Sequence, residues 1–207
     1  MRDCLSWFPP LLFLLLLTAC GREQPKLAPL PQEAVIMAFG DSLTYGAGAG
    51  REENYPVVLA GLTTRRVINA GIPGEISADG LARLPSLLYE HRPQLLVLVH
   101  GGNDMLRKIS ASETRANLSE MIRLARSRGI PVVMLGVPRP GLFLSSAEFY
   151  QSVAEETGTP IDSEILADIL ANRDLKADPI HPNAQGYALM ADTIYRMLRE
   201  ADALSPR

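Results

Sequence analysis

Short apolar runs and amphipathic stretches alternate along the chain from residue 34 onward. The apolar runs predict strands at 34–39, 66–69, 95–99 and 131–137, with a last strand at 159–162. Apolar residues at helical spacing predict helices at 56–62, 77–90, 112–128, 145–157, 163–172 and 183–200. Because strands and helices alternate, the pattern predicts an α/β domain of three layers, α/β/α, in which helices cover both faces of a doubly wound parallel sheet.

Residues 1–19 have the pattern of a signal peptide. A short charged start is followed by an apolar stretch from Leu5 to Leu17, which is too short to cross a bilayer as a helix. The sequence LTACG at 17–21 resembles the lipobox of bacterial lipoproteins, in which a peptidase cuts before a lipid-modified cysteine. This resemblance implies a lipid anchor at Cys20 and, since Gly21 follows it, a place on the outer membrane facing the periplasm. An ordinary secretory signal that is cut nearby is the alternative.

Residues 20–33 carry the cysteine and three prolines but no apolar periodicity. Such a composition predicts a semi-extended tether between the anchor and the folded part of the chain. We therefore expect one folded domain over residues 34–207.

Composition and charge narrow the classes of function. Hydrophobic residues make up 47% and charged residues 21%, which is the balance of a globular domain. Twenty basic and 23 acidic residues give a net charge of −3, without a dense Lys/Arg cluster, so no nucleic-acid partner is expected. The two cysteines, Cys4 and Cys20, cannot support a disulfide scaffold, and neither has a histidine at metal-ligand spacing. No metal site is predicted.

The end of the first predicted strand carries a candidate nucleophile. In parallel sheets the chemistry lies outside the carboxyl ends of the strands. Here Gly40-Asp41-Ser42 forms a strand-to-helix turn that can hold a serine hydroxyl free of the sheet and near backbone N–H groups. Asp-Ser pairs are also common in ordinary turns, where both side chains satisfy loop backbone groups. The turn alone leaves both interpretations open.

Three further segments carry polar groups that packing does not require. The stretch 69–75 contains glycines whose N–H could face a developing oxyanion, or could simply serve a tight turn. After the third strand, Asn103 offers either a second oxyanion donor or a helix cap, and we expect no direct role for the neighbouring His100. Asp178 lies three residues before His181, so its carboxylate can accept a hydrogen bond from Nδ1 and leave Nε2 as a base.

Taken together, four blocks in this order resemble the SGNH hydrolases of the GDSL lipase/esterase superfamily. The blocks are GDSL at 40–43, NAGIPG at 69–74, GGND at 101–104 and DPIH at 178–181. The segments at 80–85 and 106–107 resemble more narrowly the bacterial thioesterase/lysophospholipase/arylesterase branch. The resemblance covers about residues 34 to 202. It implies a flavodoxin-like SGNH hydrolase fold and a serine esterase that hydrolyses carboxylic ester or thioester bonds.

The resemblance also implies a role for each matching residue. Ser42 would be the nucleophile, His181 the general base and then acid, and Asp178 the residue that orients His181. The oxyanion hole would consist of the Ser42 backbone N–H, the Gly74 N–H and the Asn103 side-chain amide. Hydrolysis would pass through an acyl-enzyme, with no metal and no cofactor. Gly74 is preferred to the glycine at 71 because the N-A-x-x-x-G spacing of this branch puts the functional glycine last.

The substrate is expected to be a small acyl ester, a thioester or a lysophospholipid, hydrolysed by a monomer. Leu142, Phe143 and Leu144 form an apolar run in the loop after the fourth strand, which indicates either a contact surface or a satellite core. In the resembling branch this loop borders the acyl groove, so we expect Phe143 to favour medium or long acyl chains. A carbohydrate O-acetyl esterase is the alternative activity. A non-catalytic surface lipoprotein that binds lipid or glycan is the alternative of another class.

Overall fold

Five parallel strands form the sheet in the part of the chain that the structure, a computed structural model, describes: residues 25–141 and 144–204. The strands are β1 (Val35–Gly40), β2 (Arg66–Gly71), β3 (Leu95–Val99), β4 (Val132–Leu135) and β5 (Ile161–Asp162). Their order across the sheet is β2-β1-β3-β4-β5, and every pairing is parallel. The predicted doubly wound parallel sheet is confirmed. In this order β1 lies between β2 and β3, so the chain reverses its direction of winding beside the carboxyl end of β1.

Helices cover both faces of this sheet. They are α1 (Ser42–Tyr45), α2 (Tyr55–Thr63), α3 (Ser77–His91), α4 (Gly102–Leu106), α5 (Ala111–Arg126), α6 (Glu148–Thr157), α7 (Ile165–Ala171) and α8 (Ala184–Glu200). Helix α8 packs against α2 and α7, whereas α5 packs against α3 and α6, so the two groups form the outer layers. Every residue of β3 is buried, as expected for a strand covered on both sides.

Two short helices that the sequence pattern did not predict lie at the carboxyl ends of β1 and β3. Helices α1 and α4 contain four and five residues, too few to show an apolar period. A side chain caps α1, where Asp41 accepts a hydrogen bond from the Leu43 N–H. A backbone turn precedes α4, where Gly101 has a φ of 103° that a residue with a Cβ rarely adopts. Both helices place residues of the quoted blocks at one edge of the sheet.

Helix α6, predicted over 145–157, begins later than expected. Helix α6 begins at Glu148 rather than at residue 145. The reason is a local pairing, because Ser146 forms an isolated antiparallel bridge with Pro138 and is held in extended conformation. The loop between β4 and α6 is therefore folded back on itself.

The packed domain begins earlier than the boundary at residue 34. The Leu27 N–H donates to the Ala201 carbonyl at 2.7 Å, and the Leu30 N–H donates to the Ala203 carbonyl at 2.8 Å. Leu30 is buried in the main core and Leu27 packs against it, so apolar contact holds the segment that was expected to belong to the tether. Residues 1–24, with Cys20, lie outside the described residues. Among the helices of the described ranges, none is long and apolar enough to cross a membrane.

Candidate active site

The turn after β1 sets the position of Ser42. A Cβ added to Gly40 would lie 1.9 Å from the Val99 carbonyl oxygen, so only glycine allows β1 and β3 to pack this closely at their ends. Asp41 then caps α1 with its Oδ1, 3.1 Å from the Leu43 nitrogen. Burial raises the pKa of Asp41, although the hydrogen bond from the Leu43 N–H acts in the opposite direction. Ser42 is the first residue of α1 and remains partly exposed.

The loop before α8 holds an aspartate and a histidine side by side. The Asp178 Oδ2 lies 2.7 Å from His181 Nδ1, and its Oδ1 accepts backbone N–H groups of Ile180 at 2.8 Å and His181 at 2.9 Å. Burial alone would raise the pKa of Asp178, but the hydrogen bond to the His181 ring and the two backbone N–H groups hold it below its ordinary value. Asp178 is therefore a carboxylate at neutral pH.

The serine and the histidine meet across the edge of the sheet. His181 Nε2 lies 2.9 Å from the Ser42 Oγ. Because the Asp178 carboxylate only accepts hydrogen bonds, the His181 Nδ1 carries a proton, and in the neutral tautomer Nε2 is left to accept the hydrogen of the Ser42 hydroxyl. A hydroxyl, a base and a carboxylate that orients the base form the arrangement that activates a serine for attack on an acyl carbon.

Asn103 lies on α4 beside this group. Its Nδ2 donates to the backbone carbonyl of Glu75 at 3.1 Å. A side-chain amide carries two hydrogens, so the second one remains for the cavity that Asn103 lines. The alternative role as a helix cap does not fit, because Gly101 occupies the N-cap of α4.

The two glycines that the sequence left to be compared are Gly71, the last residue of β2, and Gly74, in the loop that follows. The Gly71 N–H donates to Asn69 Oδ1 at 3.0 Å, and a Cβ at Gly71 would lie 2.1 Å from the Tyr45 nitrogen. Gly74 has a φ of 78°, and within the described residues its N–H donates to no acceptor. The Arg107 guanidinium binds the Gly74 carbonyl at 2.7 Å. Gly71 thus serves close packing, whereas Gly74 has a free donor.

A cavity of about 460 Å³ opens beside the Ser42 hydroxyl. Its wall is mainly apolar and includes Leu43, Leu106, Val137, Pro138, Pro140, Leu144, Leu170, Pro179 and Ile180, with Arg139 and Lys176 as its two cations. Leu144 therefore lies at the site, as a substrate-binding role requires. Leu142 and Phe143 lie outside the described residues, so the role expected for them stays a prediction.

Sequence reasoning missed two apolar residues of this wall and one buried ionic group beneath it. Leu106 and Ile180 are 47% and 41% exposed; both lie inside quoted segments, 106–107 and DPIH at 178–181, but neither was assigned a role. The sequence feature that could have identified them is an apolar side chain within a polar segment. The buried group joins Glu75 to Arg83 and His100, and its signal was an arginine within the apolar stripe of α3. His100 is fully buried and does not line the cavity.

Comparison with known proteins identifies relatives of this arrangement. Residues 38–189 match the GDSL-like Lipase/Acylhydrolase family. Esterase TesA of Pseudomonas aeruginosa is 30% identical over 199 residues, which cover 89% of this chain and 97% of that protein. Thioesterase 1/protease 1/lysophospholipase L1 of Escherichia coli K12 is 27% identical over 206 residues, 96% of this chain and 95% of that protein. A crystal structure of TesA superimposes with a TM-score of 0.74 at 29% identity, covering 81% of this chain and 99% of that one.

Proposed function

The chain belongs to the GDSL-like lipase/acylhydrolase family and is a serine ester hydrolase, and from this we propose that Ser42 is its nucleophile, His181 its general base and Asp178 the group that orients His181. The observation that carries the proposal is the continuous line of hydrogen bonds from the Ser42 Oγ through the His181 ring to the Asp178 carboxylate, at 2.9 and 2.7 Å.

In the acylation step, the Ser42 Oγ attacks the acyl carbon while its proton passes to His181 Nε2. The carbonyl oxygen becomes an oxyanion, which the N–H groups of Ser42 and Gly74 and the free hydrogen of the Asn103 amide stabilise. When the tetrahedral intermediate collapses, His181 gives its proton to the departing alcohol or thiol. The acyl group remains on Ser42 as an ester.

In the deacylation step, a water molecule takes the place of the leaving group. His181 Nε2 accepts a proton from the water as it attacks the acyl-enzyme, and the same three donors stabilise the second oxyanion. When this intermediate collapses, the bond between the acyl carbon and the Ser42 Oγ breaks, the Oγ takes the proton back from His181, and the carboxylic acid leaves. The Asp178 carboxylate stabilises the imidazolium that forms in both steps. Asp178 stays ionised throughout because its pKa lies below the ordinary value.

The shape and lining of the cavity support an acyl group larger than acetyl as the preferred substrate. A volume of about 460 Å³ with a mainly apolar wall lies in the range of small-molecule sites, and an acetyl group would fill little of it. We therefore propose esters or thioesters of medium or long acyl chains, lysophospholipids among them, as substrates. The cations Arg139 and Lys176 would suit a leaving group that carries phosphate.

One panel of substrates tests these proposals. Turnover is measured on p-nitrophenyl esters from acetate to palmitate, on a lysophospholipid and on an acyl-CoA. We expect the highest kcat/KM on a medium or long chain. Activity confined to acetate esters and acetylated sugars would instead support the carbohydrate O-acetyl esterase. Saturable binding of lipid or glycan without any turnover would support the non-catalytic lipoprotein.

We also propose that a lipid on Cys20 holds the enzyme at the outer membrane, facing the periplasm. The LTACG sequence at 17–21 supports this, and acyl chains on one cysteine give stable anchoring. Near the start of the described residues, Leu27 is hydrogen-bonded to Ala201, which follows the last residue of α8. His181 lies at the other end of this helix, just before its first residue. Because 17 helical residues span about 25 Å, the anchor would join the domain far from the cavity.

A further inference from the structure

Glu75 is a buried carboxylate that the proposed mechanism does not use. It follows Gly74 directly, and its side chain is 6% exposed. Arg83 on α3 binds it with a two-pronged contact, in which Nε lies 2.6 Å from Oε1 and Nη2 lies 2.6 Å from Oε2. Such a fork holds a carboxylate in one orientation more firmly than a single contact would.

The same guanidinium is itself fixed to the sheet. Arg83 Nη2 donates to the Ala70 carbonyl at 2.9 Å and to the Gly40 carbonyl at 3.3 Å, near the carboxyl ends of β2 and β1. Its central carbon lies 4.2 Å from the centre of the Phe39 ring, at cation–π distance. Arg83 therefore ties Glu75 to the strand ends that precede Ser42 and Gly74.

His100, which directly follows β3, binds Glu75 as well. The Gly101 N–H donates to His100 Nδ1 at 2.9 Å, so Nδ1 is unprotonated and the neutral ring carries its proton on Nε2. That Nε2 lies 3.1 Å from Glu75 Oε2 and donates to it. A Cβ at Gly80 would lie 2.4 Å from His100 Nε2, so the glycine of α3 leaves room for the ring. Glu75 thus joins three neighbouring strands at their carboxyl ends.

The backbone of Glu75 connects this group to the oxyanion hole. Its carbonyl accepts one hydrogen of the Asn103 amide at 3.1 Å, and its peptide neighbour is Gly74. We propose that Glu75, held by Arg83 and His100, is a positioning residue that sets the separation of the Gly74 N–H and the Asn103 amide around the developing oxyanion. This inference rests on the proposed function of Ser42, Gly74 and Asn103.

The charge state of Glu75 agrees with this role. Burial alone would raise its pKa, but the hydrogen bonds from His100 and Arg83 hold it below the ordinary value. The carboxylate is therefore ionised at neutral pH, and it accepts hydrogen bonds at both oxygens. A neutral amide at this position would accept at one atom only and would break the fork.

The test is a double-mutant cycle between Glu75→Gln and Asn103→Ala. In the otherwise unchanged enzyme, Glu75→Gln should lower kcat on a p-nitrophenyl ester about 10- to 100-fold with KM within about twofold, because a donor is misplaced rather than removed. In the Asn103→Ala enzyme the same change should lower kcat much less, since part of what Glu75 positions is then gone. Losses that multiply independently would overturn the proposal.

Two further variants separate positioning from folding. His100→Gln can still donate to Glu75, whereas His100→Leu cannot, so we expect kcat to survive in the first variant and to fall in the second. Glu120→Gln removes an exposed carboxylate paired with Arg123 on α5 and is the matched control, with kcat unchanged. Equal kcat in the two His100 variants, both folded by circular dichroism, would also overturn the proposal. If Ser42→Ala keeps its activity, the proposed function fails instead.

Discussion

His181 Nε2 lies 2.9 Å from the Ser42 Oγ, although 139 residues of chain separate the two side chains. The first lies in the loop before the last helix, and the second follows the first strand of the sheet. Their contact exists only because the beginning of α8 and the end of β1 lie at the same edge of the domain.

Replacing the proposed nucleophile should abolish turnover without affecting the fold. Ser42→Ala removes one partly exposed hydroxyl at the start of α1, where the Asp41 cap and the helix backbone remain. We expect less than a few per cent of the wild-type kcat on p-nitrophenyl butyrate and an unchanged melting temperature. Ser112→Ala, on the exposed surface of α5, is the matched control. Retention of substantial turnover by Ser42→Ala would remove Ser42 from its role.

Removing the amide donor should slow the chemical step. Asn103→Ala eliminates the one side-chain donor of the proposed oxyanion hole, and such a loss costs on the order of 10²–10³ in kcat. KM should change little, since the donor acts on charge that develops during the reaction. Steady-state kinetics on one ester measures both constants. An unchanged kcat would show that Asn103 only braces the Glu75 carbonyl.

The apolar wall of the cavity should select for acyl-chain length. Leu144→Ala removes contact with a long acyl chain and should lower kcat/KM on p-nitrophenyl decanoate. The loss of transition-state binding should be about 1–3 kcal/mol, while kcat/KM on the acetate ester stays unchanged. Phe143→Ala should have the same effect if that side chain lines the groove. Leu189→Ala, an exposed leucine on α8 outside the cavity wall, is the control. If kcat/KM fell equally on the decanoate and acetate esters, these residues would support the fold rather than bind the acyl chain.

The contacts of Glu75 with Arg83 and His100 should stabilise the folded protein to an extent that depends on pH. Its pKa is depressed in the folded state relative to the ordinary value of 4.5. The stabilisation is therefore complete above about pH 4.5 and is lost as the pH falls through the folded pKa, because the unfolded chain binds the proton more readily than the folded protein does. Glu75→Gln should be less stable than wild type by about 1–3 kcal/mol at pH 7. Urea unfolding at pH 7 and at lower pH should show this difference shrinking in acid. A difference that stays constant or grows in acid would contradict the assignment.

The membrane anchor is tested by the cysteine that would carry it. Cys20→Ser should prevent lipid attachment and leave a precursor or a soluble form, which fractionation of the cell envelope and mass spectrometry can detect. Cys4→Ser changes the other cysteine of the chain and should leave anchoring intact. A native protein that is soluble and has no added mass at Cys20 would defeat the proposed localisation.

The sequence by itself determined the alternation of strands and helices and the short-range part of the site. Buried strands such as β3 show themselves as continuous apolar runs, because both of their faces are covered. The pair Asp178 and His181 could be predicted from a spacing of three residues, since both belong to one tight loop. The turn at Ser42 was visible for the same reason, because glycine, a capping aspartate and a serine follow one another directly.

Tertiary structure alone decided which of these local features meet. Four and five residues are too few for a period, so α1 and α4 left no pattern, although they place Ser42 and Asn103. The contact of Asn103 with Glu75 and the packing of Leu30 on the core join segments far apart in the chain. Hydrophobic periodicity specifies which side of an element is buried, but not which element covers it. That choice depends on the packing of the whole domain, where each buried polar group must also find its partner.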